Sequence, residues 1–486
     1  MGSPPGFRPG EPSSIPCYAS FCAFFLIESK SWESPIKYQV YEANHTASNR
    51  LVPSRQNKMI SSYLAIYTIE RLIISVVGIP YAKPPIGELR FKKPEAYGRF
   101  PKGGLRAVRF SPPCTQSYSY NSTEDCLYLN IVTPDQPSQT SLRPVIIYIH
   151  GGSLLSCTAA DYDLDVLASK ANAVVVTLNY RLGAFGFLTT GDSSLPGNYG
   201  LWDQHLAIKW VHENIESFGG DKNRVTLAGQ SAGGWSVGFQ MMSPHNNRKL
   251  FQRVIMMSGS PFSFTFINRE VSNIVESIAD KVNCNPGKWN FLQCLQKANA
   301  EDIMTANLRS VRQEVPFFPI QDGDFLPHDM GYIVSDFFRN GIETVKDQLG
   351  NFAEYDLFVS FTSQEGLMFE KGILDPLSKD MTGFGLDYNE GLMDEVYNMA
   401  ILEHLLPTYT GNPYGRRLVS NATRAFYTMK HRTNVGTTQK ERWLSDFVDM
   451  AGMLSQLTNS NRSSIQRRAF QKNFYCVTRS FGCHIQ

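Results

Sequence analysis

The chain has no excess of charge of either sign. Its 46 Lys and Arg stand against 44 Asp and Glu, a formal net charge of +2 over 486 residues. No basic field is therefore available to hold nucleic acid or an anionic membrane surface. Uninterrupted apolar runs of the length needed to span a bilayer are also missing, so no transmembrane segment is expected. The nearest case, residues 59–79, is broken by Glu70 and Arg71. A clear signal peptide is missing too: residues 15–27 (IPCYASFCAFFLI) are apolar, but only Arg8 precedes them and no cleavage site follows. Neither C-x-x-C metal spacing nor an internal repeat occurs. Apolar residues are not scarce. With 42% hydrophobic and 12% aromatic residues, the chain is not disordered and is long enough to bury a large core.

The nine cysteines are too few for a disulfide scaffold, yet four are suggestively spaced. Cys114 and Cys126 bracket a polar loop, and Cys284 and Cys294 bracket another, NCNPGKWNFLQC. A bridge across either loop would stabilise the fold by about 2–4 kcal/mol. N-x-[ST] sequons stand at Asn44, Asn121, Asn421 and Asn461, and Asn121 falls inside the first loop. Cysteines and sequons together favour an oxidising compartment, either secretion or the ER lumen, with Asn121, Asn421 and Asn461 as candidate glycosylation sites.

Residues 1–70 read as irregular, beginning with the Pro/Gly-rich MGSPPGFRPGEPSSIP. From 71 onward short β-branched runs alternate with helical stretches: VIIYIH (145–150), AVVVTLNY (173–180), RVTLAG (224–229), RVIMMSG (253–259) and DLFVSF (356–361). Near-continuous apolar strands of this kind predict a mostly parallel central sheet flanked by helices, an α/β fold. Between Leu201 and Phe218, Leu206, Trp210, Ile215 and Phe218 recur at helical spacing before Gly219-Gly220. The 370–470 region reads as mostly helical and more polar.

RVTLAGQSAGGWSVGFQMM carries G-x-S-x-G at Gly229, Ser231 and Gly233. By itself the pattern is weak and compatible with an ordinary glycine-rich turn. Its context, an apolar strand leading in and an apolar helix leading out, is the strand–turn–helix that presents a nucleophilic serine. The hydroxyl then stands at a helix N-terminus, where N–H groups favour developing negative charge. Upstream, IYIHGGS (147–153) ends a strand in a turn whose small residues let backbone donors approach a substrate carbonyl. The N–H groups of Gly152, Ser153 and Ala232 are the candidate oxyanion hole.

Six ordered blocks extend these two motifs: GIPYAKPPIGELRFKKP (78–94), EDCLYLNIVTP (124–134), NYRLGAFGFL (179–188), NIESFGGDKNRVTLAGQSAGG (214–234), LFQRVIMMSGS (250–260) and FPIQDGDFLP (318–327). Together they resemble the type-B carboxylesterase and cholinesterase family of α/β-hydrolases, from about residue 75 to the end. The resemblance implies one α/β-hydrolase domain over 71–486, with 1–70 unmatched. It also implies local Cys114–Cys126 and Cys284–Cys294 bridges and a structural Arg90–Glu124 ion pair. It implies no metal and no organic cofactor.

A serine nucleophile needs a base oriented by an acid, which in this superfamily follow in the order Ser, acid, His. His404 and His431 sit in helical runs, whereas His484 follows a strand-like run and a glycine, in FGCHIQ. His484 is the candidate base. Glu365, just beyond DLFVSF, is the candidate acid, ahead of Asp356, which begins that strand. The implied enzyme is a carboxylic ester hydrolase acting on small-molecule esters through an acyl-enzyme.

The departures from the pattern narrow this further. The first cysteine loop lacks the Trp of cholinesterases and offers Tyr118, Tyr120 and nearby Tyr128, while Gln230 replaces the Glu beside their nucleophile. The chain is thus expected to be closer to carboxylesterases than to cholinesterases. Phe262, Phe264, Phe317 and Phe318 are candidates for an acyl pocket or for plain core. Ser153 replaces a third glycine but keeps its N–H, and Cys157, where the family tends to have Gly, is expected to be a small buried residue without a partner. The family continues beyond its catalytic His, so a C-terminally truncated fold is expected, with a catalytically impaired or non-catalytic binding protein or fragment as the alternative.

Overall fold

A computed structural model describes residues 39–44, 60–67 and most of 72–360, with breaks at 103, 118–120, 135–140, 262–270 and 307–316 and at scattered positions between 329 and 346. The described residues form two compact units. The first takes those up to Gly233 with Lys249–Phe251 and those from 271 to Phe317; the second takes Gly234–Arg248, 252–261 and those from Phe318 onward.

The first unit is built on a mixed sheet. Its strands are β1 (Gln39–Asn44), β2 (Ile60–Tyr67), β3 (Leu72–Pro80), β4 (Leu105–Arg106), β5 (Tyr128–Pro134), β6 (Arg143–Ile149), β7 (Val174–Leu178) and β8 (Gly220–Gln230). The parallel part is β7–β6–β8, with Ile147 opposite Val176 on one side and Leu227 on the other. Val145, Ile147, Val174, Val176 and Leu227 are fully buried, as expected of strands covered on both faces.

The other side of the sheet is antiparallel along β1 with β2, β2 with β3, β3 with β5 and β5 with β7, and the short β4 pairs in parallel with β2. The sheet is therefore mixed, with its parallel core at β7–β6–β8, as the α/β reading expects. Only residues 68–71 separate β2 from β3, and a parallel crossover needs a dozen or more. Two of these strands also lie within residues 1–70, which the sequence reads as irregular.

Helices α1 (Asp165–Ala171), α2 (Gly183–Phe187) and α3 (Tyr199–Asn214) connect β6, β7 and β8. The predicted helix over 201–218 is α3 followed by a tight turn at Ile215–Phe218, closed by Gly219 at φ +79°. Its fully buried positions include Leu201, Asp203, Gln204, Ala207, Ile208 and Val211, with Ile215 after it, whereas Leu206 and Trp210 are half-buried.

Helix α4 (Ala232–Met242) follows β8 and belongs to the second unit from Gly234 onward, while α5 (Val271–Lys281), α6 (Phe291–Lys297) and α7 (Ala300–Met304) complete the first unit. Both expected bridges are present, Cys114–Cys126 and Cys284–Cys294. Among the described residues no helix is long and apolar enough to cross a membrane.

Two buried ion pairs tie the long connections together. Arg90 meets Glu124 through two 2.6 Å hydrogen bonds and sends its other nitrogen to the Leu295 and Ala298 carbonyls at the end of α6. Arg181, just after β7, grips Asp203 of α3 through its backbone N–H, Nε and Nη2 at 2.7–3.0 Å. The first pair is the one the family resemblance implies. The second was not anticipated. Neither buried charge is left alone, which would destabilise the fold by about 3–5 kcal/mol.

In the second unit β9 (Arg253–Met257) pairs in parallel with β10 (Asp356–Ser360). Strand β10 is only partly buried, and Phe358 is exposed. The side chain of Phe318 is buried against Trp235 and Phe239 of α4, at ring separations of 5.6 and 5.8 Å. For Phe318 this is the plain-core role. Phe317 in the first unit is buried too.

Candidate active site

Ser231 stands at the junction of β8 and α4 with φ +56°, a backbone conformation that a side-chain-bearing residue rarely adopts. Its glycine neighbours explain how the chain reaches it. A Cβ on Gly229 would overlap the Gly233 backbone, and a Cβ on Gly233 would overlap the Ile149 carbonyl oxygen. Strand β8 and helix α4 can therefore meet this closely only without those side chains. The sharp turn predicted from the G-x-S-x-G pattern is thus present, with its strain on the serine.

The HGGS segment forms the turn beyond β6. Gly152, Ser153 and Leu154 have φ of +96°, +55° and +62° in succession. A Cβ on Gly151 would stand 2.8 Å from the Gln230 carbonyl oxygen and 3.2 Å from the Ser231 Cβ, so the two turns are in close contact. Ala232 is the first residue of α4, directly after the serine. Among the described residues nothing accepts a hydrogen bond from the Gly152 or Ser153 N–H, and none engages the Ser231 hydroxyl. Among the described residues, backbone donors and a hydroxyl thus lie together without competing partners.

His150 is built into the wall of this turn. Its ring stacks on Tyr180 with centroids 4.4 Å apart, and the Tyr180 hydroxyl donates to the His150 carbonyl at 2.9 Å. Nδ1 lies 2.9 Å from the Gly151 carbonyl, which can only accept, so Nδ1 carries the proton. Full burial pushes the imidazole down to about 4, so it is neutral at physiological pH. Its Nε2 is buried without a hydrogen-bond partner among the described residues. Gly151 is further held by the Tyr162 hydroxyl, whose pKa is raised chiefly by burial and lowered in part by the Gly151 backbone N–H. Sequence patterns flag this histidine only as the first letter of a turn motif. Its neutral, stacked state is a property of packing.

Cys157 corrects one expectation. It does not stand without a partner but is disulfide-bonded, and it adopts φ +79° where the family tends to have glycine. Asn121 is exposed within the loop closed by Cys114–Cys126. In the same loop region the Tyr128 hydroxyl donates to Asp125 at 3.0 Å. Glu365 and His484, the candidate acid and base, lie outside the described residues, as do Asn421, Asn461, His404, His431, Tyr118, Tyr120, Phe262 and Phe264.

The carboxylesterase family model matches residues 67–477. Among curated relatives, mouse neuroligin-3 is 34% identical over 369 residues, 66% of this chain and 43% of that protein. Mouse neuroligin-2 is 30% identical over 420 residues, 78% of this chain and 47% of that protein. Mouse carboxylesterase 1E is 34% identical over 314 residues, 59% of this chain and 56% of that protein. The chain thus spans about half the length of these curated relatives.

Proposed function

The chain belongs to the carboxylesterase family and has its α/β-hydrolase fold, and from that premise we propose that it is a serine hydrolase of carboxylic esters. The observation that carries the reading is the left-handed Ser231 between β8 and α4, in contact with the glycine turn at 151–153. A hydroxyl held this way is presented beside backbone N–H groups that suit a tetrahedral oxyanion.

In the proposed mechanism His484 takes the proton from Ser231 as the hydroxyl attacks the ester carbonyl. The oxyanion is met by the N–H groups of Gly152, Ser153 and Ala232. Glu365 orients the imidazole and stabilises its cation. The alcohol leaves with the proton returned by His484, and water then hydrolyses the acyl-enzyme by the reverse sequence. His150 is given no proton-transfer role, because it is buried and burial makes its imidazole a weak base. It shapes the turn that holds the donors.

The substrate proposed is a small uncharged carboxylic ester. Gln230 beside the nucleophile and a first cysteine loop without Trp give no cationic-ligand platform of the cholinesterase kind. The hydrolase domain is taken as 71–486, and the Cys114–Cys126 and Cys284–Cys294 bridges, the disulfide-bonded Cys157 and the exposed sequon asparagine Asn121 support a lumenal or secreted setting. Glycans at Asn121, Asn421 and Asn461 belong to the same proposal.

A second reading, a non-catalytic binding protein with this fold, is favoured by one observation. The neuroligin-2 match covers 78% of the chain, against 59% for carboxylesterase 1E. Turnover of p-nitrophenyl acetate and butyrylthiocholine by the purified chain separates the readings. The esterase reading expects hydrolysis of the first, weak hydrolysis of the second and no activity in Ser231→Ala. Equal rates for wild type and Ser231→Ala would support the binding protein.

A further inference from the structure

We infer that Gln116 is a positioning residue for the oxyanion turn, which makes the loop closed by Cys114–Cys126 part of the scaffold of the active site. The catalytic consequence rests on the esterase reading above; the clamp itself rests on geometry.

The Gln116 side chain is buried and its amide grips both backbone groups of Cys157. Oε1 accepts from the Cys157 N–H at 3.0 Å, and Nε2 donates to the Cys157 carbonyl at 3.1 Å. The second Nε2 hydrogen goes to the Cys114 carbonyl at 3.0 Å. One planar group thus joins a disulfide residue of the loop to the end of the turn. Gln116 is held in turn by Ser122, whose hydroxyl accepts from its N–H and donates to its carbonyl, both at 3.3 Å.

Asn179 repeats the device one residue further on. Its Oδ1 accepts from the Thr158 hydroxyl at 2.9 Å and the Ala159 N–H at 2.7 Å. Its Nδ2 donates to the Ser111 hydroxyl at 3.1 Å and the Pro112 carbonyl at 3.2 Å. Residues 157–159 are therefore pinned to residues 111–116 by two buried amides.

The turn needs such pins because its own conformation is disfavoured. Ser153, Leu154 and Cys157 all carry positive φ without being glycine. The far end also transmits directly to the near end. A Cβ on Gly152 would overlap the Ser156 carbonyl and stand 2.8 Å from the Cys157 Sγ. The Leu155 and Ser156 N–H groups donate to the Gly152 carbonyl at 2.9 and 3.0 Å. With no slack between Cys157 and Gly152, displacing Cys157 displaces the residues that supply two of the three proposed oxyanion donors.

The test compares the full chain with Gln116→Met, which keeps length and volume but removes both hydrogen-bonding groups. Gln116→Glu, which keeps an acceptor and loses the amide donor, serves where the first does not fold. Two readouts are taken: hydrogen exchange of the 151–157 amides, and the rate at which a fluorophosphonate labels Ser231. The clamp predicts exchange at 151–157 faster by about tenfold or more, with β6, β7 and β8 unchanged. It predicts labelling slower by about a hundredfold, the effect of roughly 1 Å of misplacement. A folded variant with unchanged exchange at 151–157, or with altered exchange but wild-type labelling, overturns the inference. A wild-type chain that never labels contradicts the esterase reading instead, and the exchange data still decide the clamp.

Discussion

The two turns that meet at Ser231 solve the same problem in opposite ways. The serine turn concentrates its strain in one residue at φ +56° and surrounds it with glycines that clear space on both sides. The turn beyond β6, proposed to hold the oxyanion, spreads positive φ over Gly152, Ser153, Leu154 and Cys157, of which only the first is glycine. It is stabilised from outside by Tyr180, Gln116 and Asn179. A turn that is strained at one point can be encoded by local residue choice. A turn that is strained throughout depends on side chains far away in sequence.

The largest expected effect breaks the first turn. Ser231→Ala should lower ester turnover by about a millionfold, to background, as for loss of a nucleophile that acts as a unit with its base; steady-state hydrolysis of p-nitrophenyl acetate measures it. Next is Gly233→Ala, whose Cβ would overlap the Ile149 carbonyl oxygen. It should destabilise by about 3 kcal/mol, the upper range for overpacking, as read from urea unfolding.

The third prediction probes the packing under the oxyanion turn through pH. Burial holds His150 down at about 4 in the fold, against 6.5 as its ordinary value. Between those values the unfolded chain takes up the proton and the folded chain does not. The stabilising contribution is therefore present above pH 6.5 and lost as pH falls through 4. At pH 5 the loss amounts to about 2 kcal/mol relative to pH 7. His150→Phe, which keeps a ring against Tyr180, should flatten this part of the stability profile. An unchanged slope between pH 6.5 and 4 would show that His150 is not held neutral.

The smallest effect sharpens the comparison. Ser153→Gly should relieve left-handed strain and raise stability by about 0.5 kcal/mol, net of the entropy that glycine adds to the unfolded chain. Thermal unfolding measures it. Destabilisation instead would mean that the serine side chain holds the turn.

The sequence shows the first turn and much of the sheet for the same reason: their determinants are local. Apolar β-branched runs announce β6, β7 and β8, and glycines at fixed offsets announce the bend at Ser231. Strand β1 escapes notice because QVYEAN alternates weakly, and β2 because ISSYLAIY sits in the apolar run 59–79 without a clear strand period. The family blocks anticipate Arg90–Glu124, but nothing local distinguishes the Arg181–Asp203 pair, whose members lie 22 residues apart. The oxyanion turn is legible only in outline. HGGS marks its start, whereas its end depends on Gln116, 41 residues before Cys157, and no periodicity points there.

The central claim is that Ser231 is an activated nucleophile in a formed site. The direct measurement is peptide mapping by mass spectrometry after the folded chain is treated with a fluorophosphonate. The account predicts one adduct per chain, on Ser231, and none in Ser231→Ala. A folded wild-type chain that carries no adduct at Ser231 would contradict it.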